Sequence, residues 1–176
     1  MNSEQKKCVF FDRDGIVNKH PNNYYIRSWD EFRLMPGFME SLRIVQDKGY
    51  VAVIITNQQG VGKGEYTAET VEMIHSNLIA QLGEWGQDIL DVYYCPHLAA
   101  DECICRKPKP GMILTAAEKH GINLAESWMI GDQERDVQSG QAAGCRCVRV
   151  HPSLKTEADY RIDSMDQLPA LLDKIL

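Results

Sequence analysis

Short apolar runs, each closed by a polar or turn residue and separated by longer amphipathic stretches, constrain this chain most. Residues 7–11, 51–56, 90–95, 128–131 and 145–150 are short, rich in β-branched or aromatic side chains, and read as strands. Between them, Phe38, Leu42 and Val45 recur at helical spacing, and Val71, Ile74, Leu78 and Leu82 mark one face of a longer helix. Thr67, followed by Glu69 and Thr70, has the character of a helix start, and Gly83 of a stop. Residues 112–119, 134–143 and 167–175 supply three further helical patterns. Strands alternating with helices, and apolar nearly throughout, predict an α/β fold: a parallel sheet with helices on both faces. No internal repeat or low-complexity segment interrupts the pattern, and 176 residues suit a single domain spanning 1–176. The irregular stretches are 17–35, 60–66 and 96–110. In open α/β sheets chemistry gathers at the carboxyl ends of the strands, so the residues that follow each strand carry the functional information.

Charge narrows the partners. With 25 acidic residues against 19 Lys plus Arg, the formal charge is −6, which argues against a nucleic-acid-binding body. An anionic substrate must then be met by local cations or by a metal ion. The polar first seven residues and the brief apolar stretch behind them do not make a secretory signal, and no apolar run approaches the ~20 residues of a membrane span. The expectation is a cytoplasmic protein with no membrane partner, a monomer for want of an exposed apolar stripe. Its six cysteines are then reduced thiols rather than disulfides.

Three strand ends carry polar groups. Phe11 is followed by Asp12-Arg13-Asp14-Gly15, and an i, i+2 pair in extended chain points two carboxylates to one side. Asp and Gly are also ordinary turn residues, so this pair alone is ambiguous. The second strand ends in Thr56-Asn57-Gln58 before a glycine-rich stretch, a neutral cradle for an anion. The fourth ends in Gly131-Asp132, with Asp136 one helical turn on; an Asp there can also serve as a helix N-cap. Asp12 and Asp14, Thr56 and Asp132 arriving together at one sheet edge favour the functional reading.

These residues, in this order, resemble the haloacid dehalogenase (HAD) superfamily of phosphotransferases. Asp12-x-Asp14-Gly15 is similar to its first motif, Thr56 to its second, Lys107 to its third, and Gly131-Asp132 with Asp136 to its fourth, a match over residues 8 to about 150. The resemblance implies a Rossmann-like sheet with the nucleophile strand between the second and fourth. It implies magnesium-dependent hydrolysis of a phosphomonoester, in which Asp12 becomes an aspartyl-phosphate. Asp14 protonates the leaving oxygen and then activates water. Mg²⁺ would be held by Asp12, Asp132 and the backbone carbonyl of Asp14, while Lys107 and Thr56 manage the phosphoryl group. Asp136 would support the metal shell or Lys107. Arg13, Asn57, Gln58, Arg106 and Gln133 complete the expected substrate contacts.

Cys95-x-His97 and Cys103-x-Cys105 offer three thiols and an imidazole in a C-x-H-x5-C-x-C pattern, suited to a closed tetrahedral Zn²⁺ site. The competing reading is unrelated buried cysteines; a redox pair would show C-x-x-C. Zinc over residues 95–105 would stiffen the loop that presents Arg106 and Lys107. Cys8, Cys145 and Cys147 read as core, His20, His75, His120 and His151 as surface or local structure, and Lys109 as a solvated lysine.

Within the superfamily, the C-x-H…C-x-C-R-K-P segment resembles a zinc-containing group without a large cap domain. That group contains heptose 1,7-bisphosphate phosphatases and histidinol-phosphate phosphatases, so a small phosphorylated metabolite is expected as substrate. The Thr56–Gly64 stretch and Arg106-Lys107-Pro108 look like the first kind, which is the expected one, while the five-residue spacer 98–102 looks like the second, the alternative. Gln133 departs from the basic residue expected after the fourth-motif Asp, which weakens the case for a second phosphate. The expected substrate site is open and bordered by residues 22–25, 60–63 and the zinc loop. A polynucleotide 3′-phosphatase would need a basic groove, and a non-catalytic zinc-stabilised binding module would not need the acids, Thr56 and Lys107 together.

Overall fold

Among the described residues six strands, all parallel, form one sheet in the order β3-β2-β1-β4-β5-β6. The structure is a computed structural model and describes residues 5–20, 25–153 and 155–176. The strands are β1 (Cys8–Phe11), β2 (Val51–Asn57), β3 (Asp91–Cys95), β4 (Trp128–Gly131), β5 (Arg146–Val150) and β6 (Tyr160–Ile162). The helices are α1 (Phe38–Asp47), α2 (Ala68–Glu84), α3 (Gly111–His120), α4 (Glu134–Ala143) and α5 (Leu168–Ile175). Among the described residues there is no cap domain, and no helix is long and apolar enough to cross a membrane.

The pleat explains why the strands read as continuous apolar runs. Val9 and Phe11 of β1 face one core, with Ile54, Trp128 and Ile130 beside them and α1, α2 and α5 laid over them. Cys8 and Phe10 face the other core, with Val53, Ile55 and Met129, under α3 and α4. Cys145 and Cys147 are buried in that second core with Cys8, so three of the six cysteines are packing residues.

Two details differ from the sequence reading. Helix α2 runs through Gly83 to Glu84, and Gly86, at φ +70°, takes the left-handed position after it. Its start is as expected: the Thr70 N–H donates to Thr67 Oγ1 at 3.2 Å. Strand β6 was not anticipated, because Tyr-Arg-Ile is too short and too polar to stand out as an apolar run.

Register brings the strand ends level. Phe11 pairs with Ile54 on one side and Ile130 on the other, so Asp12, Thr56 and Asp132 emerge at the same edge. The Asp12 N–H also donates to the Ile130 carbonyl at 2.9 Å, extending the pairing one residue past the strand. Leu42 of α1 is fully buried against this sheet. Leu42→Ala is expected to cost about 3 kcal/mol, lowering the urea midpoint with the slope of the transition unchanged.

Candidate active site

A cavity of about 380 Å³ opens at the carboxyl edge, lined by Asp12, Asp14, Thr56, Asn57, Lys107 and Gln133, with His20, Tyr25, Gln59, Arg106 and Arg135 around them. Lys107 lines it and is only 2% exposed. Its Nζ lies 2.7 Å from Asp12 Oδ1, 2.8 Å from Asp136 Oδ1 and 3.1 Å from the Ile55 carbonyl. Burial works against the ammonium, but Asp12 and Asp136 outweigh it and hold the Lys107 pKa above its usual value. The backbone of Lys107 is clasped by Asn57, whose Nδ2 donates to the Lys107 carbonyl and whose Oδ1 accepts from its N–H, both at 3.1 Å.

Asp12 follows β1 directly. Burial, with Asp136 nearby, pushes its pKa up to about 7 despite Lys107. Its Oδ1 accepts from Lys107 and from the Arg13 N–H at 2.8 Å, leaving Oδ2 without a hydrogen bond from the described residues.

Asp14 is held from three directions. Arg13 Nη2 lies 3.0 and 3.1 Å from its two oxygens, Asn18 Nδ2 donates at 3.0 Å and Gln58 Nε2 at 3.0 Å. Burial opposes its charge, yet Arg13 and these hydrogen bonds prevail and hold its carboxyl below the ordinary range. The chain can turn here because Gly15 sits at φ +95°; a Cβ on it would come within 2.9 Å of Asp132 Oδ2.

Arg13 and Gln58 are not where substrate contacts were expected. Arg13 is 1% exposed and lies beneath the cavity, its Nη1 3.2 Å from His75 Nε2. Gln58 is 2% exposed; besides Asp14 it donates to Thr56 Oγ1 at 2.9 Å, and its Oε1 accepts from the Tyr66 hydroxyl at 2.7 Å. Both side chains are consumed in holding Asp14 and Thr56.

Asp132 precedes α4 and does not cap it; the Gln133 N–H is taken instead by Asp136 Oδ2 at 3.0 Å. A Cβ on Gly131 would meet Asp136 Cγ at 2.5 Å, so glycine is what lets that carboxylate reach Lys107. Asp132 Oδ2 is matched to His20 Nε2 at 2.8 Å and Gln133 Nε2 at 3.0 Å, whereas its Oδ1 is buried with no partner among the described residues.

His20, His75, Tyr66, Gln59 and Arg135 were missed in the sequence. Nothing near His20 or His75 marks them, since their partners lie 112 and 62 residues away. Arg135 did carry a signal: it is three residues beyond Asp132, one helical turn on. Of the three loops expected to border the site, residues 22–24 lie outside the described residues, while Tyr25 lines the cavity.

The family model described as HAD-hydrolase-like matches residues 104–170. A D-glycero-α-D-manno-heptose-1,7-bisphosphate 7-phosphatase of Photorhabdus laumondii is 35% identical, over 87% of this chain and 88% of its own. A D-glycero-β-D-manno-heptose-1,7-bisphosphate 7-phosphatase of Helicobacter pylori is 39% identical, over 76% and 77%. The chain belongs to this family of HAD-like phosphatases. The crystal structure of the B. bronchiseptica D,D-heptose 1,7-bisphosphate phosphatase, complexed with magnesium and phosphate, is 27% identical. It superposes with a TM-score of 0.86 over 97% of this chain and 99% of that one. The family fold and phosphatase chemistry expected from the four motifs are therefore those of this protein.

Among the described residues two clusters have the chemistry to hold metal ions. Carboxylate oxygens of Asp12, Asp132 and Asp136 lie within 4.8 Å of one another, buried, with a single ammonium among them. The raised Asp12 pKa and the orphaned Asp132 Oδ1 both express a surplus of buried negative charge that a hard cation would offset. In the second cluster, Cys95, His97, Cys103 and Cys105 approach with Sγ–Sγ separations of 3.3 to 3.6 Å and Sγ–Nδ1 separations of 3.3 to 3.5 Å. Ligands about 2.3 Å from a tetrahedral ion stand roughly 3.8 Å apart, so a small outward spread would bring the four donors to that arrangement. Burial, with Cys105 beside it, pushes the Cys95 thiol up to about 12.

This loop is tied to the cavity wall. Arg106 Nη1 donates to the His97 carbonyl and Nη2 to Gln59 Oε1, both at 3.1 Å. Lys109 is not merely solvated: its Nζ donates to the carbonyls of Glu102 and Cys103, both at 2.8 Å.

His75 is buried beside a cation, and burial, followed by the charge of Arg13, brings its pKa down from 6.5 to about 3. The unfolded chain takes up this proton near pH 6.5 and the folded chain does not until about pH 3, so folding stability falls as pH drops through that window. Between pH 7 and pH 5 the wild type is expected to lose about 2 kcal/mol more than His75→Gln, measured by urea denaturation at both pH values.

Proposed function

We propose that this chain is a magnesium-dependent heptose 1,7-bisphosphate phosphatase, working through a phosphorylated Asp12 and carrying a structural zinc in the 95–105 loop. The observation that carries the reading is the convergence of Asp12, Asp14, Thr56 and Lys107 on a cavity that also holds Arg106 and Arg135. Asp12 Oδ2, free of the hydrogen bonds that occupy Oδ1, attacks phosphorus while the bond to the leaving oxygen breaks. Asp14 delivers a proton to that oxygen. The arriving phosphoryl dianion opposes ionisation of Asp14, which favours the acid form needed there. Asp14 then takes a proton from water as the water oxygen bonds to phosphorus, releasing inorganic phosphate and the Asp12 carboxylate.

Thr56 Oγ1 accepts from Gln58, so its own hydrogen is available to a phosphoryl oxygen. Lys107 holds Asp12 in place and balances the charge that builds on the transferring group. Asp12, Asp132 and the Asp14 carbonyl are the proposed magnesium ligands, with Asp136 held by Lys107 at their edge. Magnesium bound there supplies the positive charge that lets a carboxylate approach a phosphate dianion.

Gln133 is neutral and engaged with Asp132, so it does not supply the cation for a second phosphate. Arg106 is half-buried and braced by the loop, whereas Arg135 is exposed on the cavity wall with no partner among the described residues. Together they offer two guanidinium forks to a distal phosphate. The short spacer 98–102 favours histidinol phosphate as the second reading. The reduced thiols of the cysteine cluster suit a cytoplasmic setting, and a monomer is the simplest form of the catalyst.

A phosphate-release panel tests the substrate: heptose 1,7-bisphosphate in both anomers, histidinol phosphate, other sugar monophosphates and a 3′-phosphorylated oligonucleotide, each with magnesium and with chelator. The bisphosphate is expected to lead. Arg135→Ala should raise its KM about tenfold while changing monophosphate hydrolysis far less, and preference for histidinol phosphate would replace the substrate assignment. Asp12→Asn should abolish magnesium-dependent release; surviving release rejects the mechanism. Cys103→Ala should lose zinc, measured by metal analysis, and lower both the melting temperature and turnover; full turnover without zinc would break the proposed link between loop and Lys107.

A further inference from the structure

We propose that His75 is a positioning residue for the proton-transfer carboxylate, acting through Arg13; the proposal rests on the roles given above to Asp12 and Asp14. Arg13 stands between the two, 1% exposed, with one edge of its guanidinium on Asp14 and the other on His75. A guanidinium has only donors, so His75 Nε2 must accept from Nη1, which places the imidazole hydrogen on Nδ1. His75 is the only acceptor for Nη1 among the described residues. Its ring is fixed in turn by its place on α2 and by an edge contact with Tyr94, ring centroids 5.9 Å apart.

A buried charged donor without a partner is costly, so Arg13 is stable in this orientation only while His75 accepts from it. Without that bond Arg13 gains by turning towards water, and Asp14 loses the partner that contacts both its oxygens. Asn18 and Gln58 would still hold Asp14 loosely. Asp12 is held by Lys107 and by the Arg13 backbone N–H, and makes no hydrogen bond to the Arg13 side chain or to His75. Loss of His75 is therefore specific to proton transfer: it slows protonation of a poor leaving group and activation of water, and leaves attack on phosphorus intact.

Leaving-group dependence reads this directly. p-Nitrophenolate departs without being protonated, whereas a sugar alkoxide does not. His75→Leu is expected to release the first equivalent of p-nitrophenolate from p-nitrophenyl phosphate within about twofold of the wild-type rate. Steady-state turnover, limited by hydrolysis of phospho-Asp12, should fall at least tenfold. With a sugar phosphate, kcat should fall at least tenfold with KM changed less than twofold. His75→Gln, which keeps an acceptor oxygen, should recover most of the loss. If the leucine variant does not fold, His75→Asn, too short to reach Arg13, replaces it. Equal loss in the first turnover and the steady state, unchanged kcat, or no recovery with glutamine would each overturn the proposal. Failure of the underlying reading shows elsewhere, as phosphate release that survives Asp12→Asn.

Discussion

The ammonium of Lys107, buried between Asp12 and Asp136, is the contact on which the rest of the site depends. Three carboxylates converge at this sheet edge, and charges of one sign cannot be packed together out of water without compensation. Lys107 supplies part of it from a loop fifty residues beyond Asn57, and Gly131 makes room for the Asp136 half of the arrangement. The compensation is incomplete, as the raised pKa of Asp12 and the unpartnered oxygen of Asp132 both record. A site left electrostatically short in this way has a use for a divalent cation and for an anion that arrives with it.

Below Asp12 and Asp14 are two separate supports. Asp12 is held from the third-motif side by Lys107, Asp14 from beneath by Arg13 and Gln58. Each support reaches into a different part of the fold: Lys107 into the cysteine loop, Arg13 into α2 through His75, and Gln58 into the loop that carries Tyr66. The proposed nucleophile and proton shuttle, two residues apart in the chain, are thus oriented by separate side chains. That independence suits a reaction in which one carboxylate must stay an anion and its neighbour must change protonation twice.

Most of the framework was legible in the sequence because it rests on short-range rules. Strand ends are marked by the change from apolar residues to Asp or Thr, and a parallel sheet puts those ends at one edge whatever the loops do. The cysteine cluster was legible because its four donors are close in the chain. What stayed hidden was set by long-range packing. The charged side chain of Arg13 in the motif looked like a substrate contact, and only the approach of α2 shows why it turns inward. His20 and His75 carry no local pattern because their partners come from other elements. Strand β6 escaped because an edge strand of three half-exposed residues needs no apolar signature. Gln133 hid the cation of the cavity wall because the charge sits two positions later, at Arg135, where the helical turn returns to the same side.

The paired hydrogen bonds between Asn57 and the Lys107 backbone join the end of β2 to the segment leaving the cysteine loop. They give the two metal-competent clusters a shared structural path, although no side chain belongs to both. If ordering the sulfur cluster raises affinity for an anion beside Lys107, then that anion must tighten the hold of the sulfur cluster on its metal by the same factor. If the cysteine cluster holds the proposed ion, an enzyme engaged with substrate would surrender it less readily than an idle one, so that use itself would protect the fold.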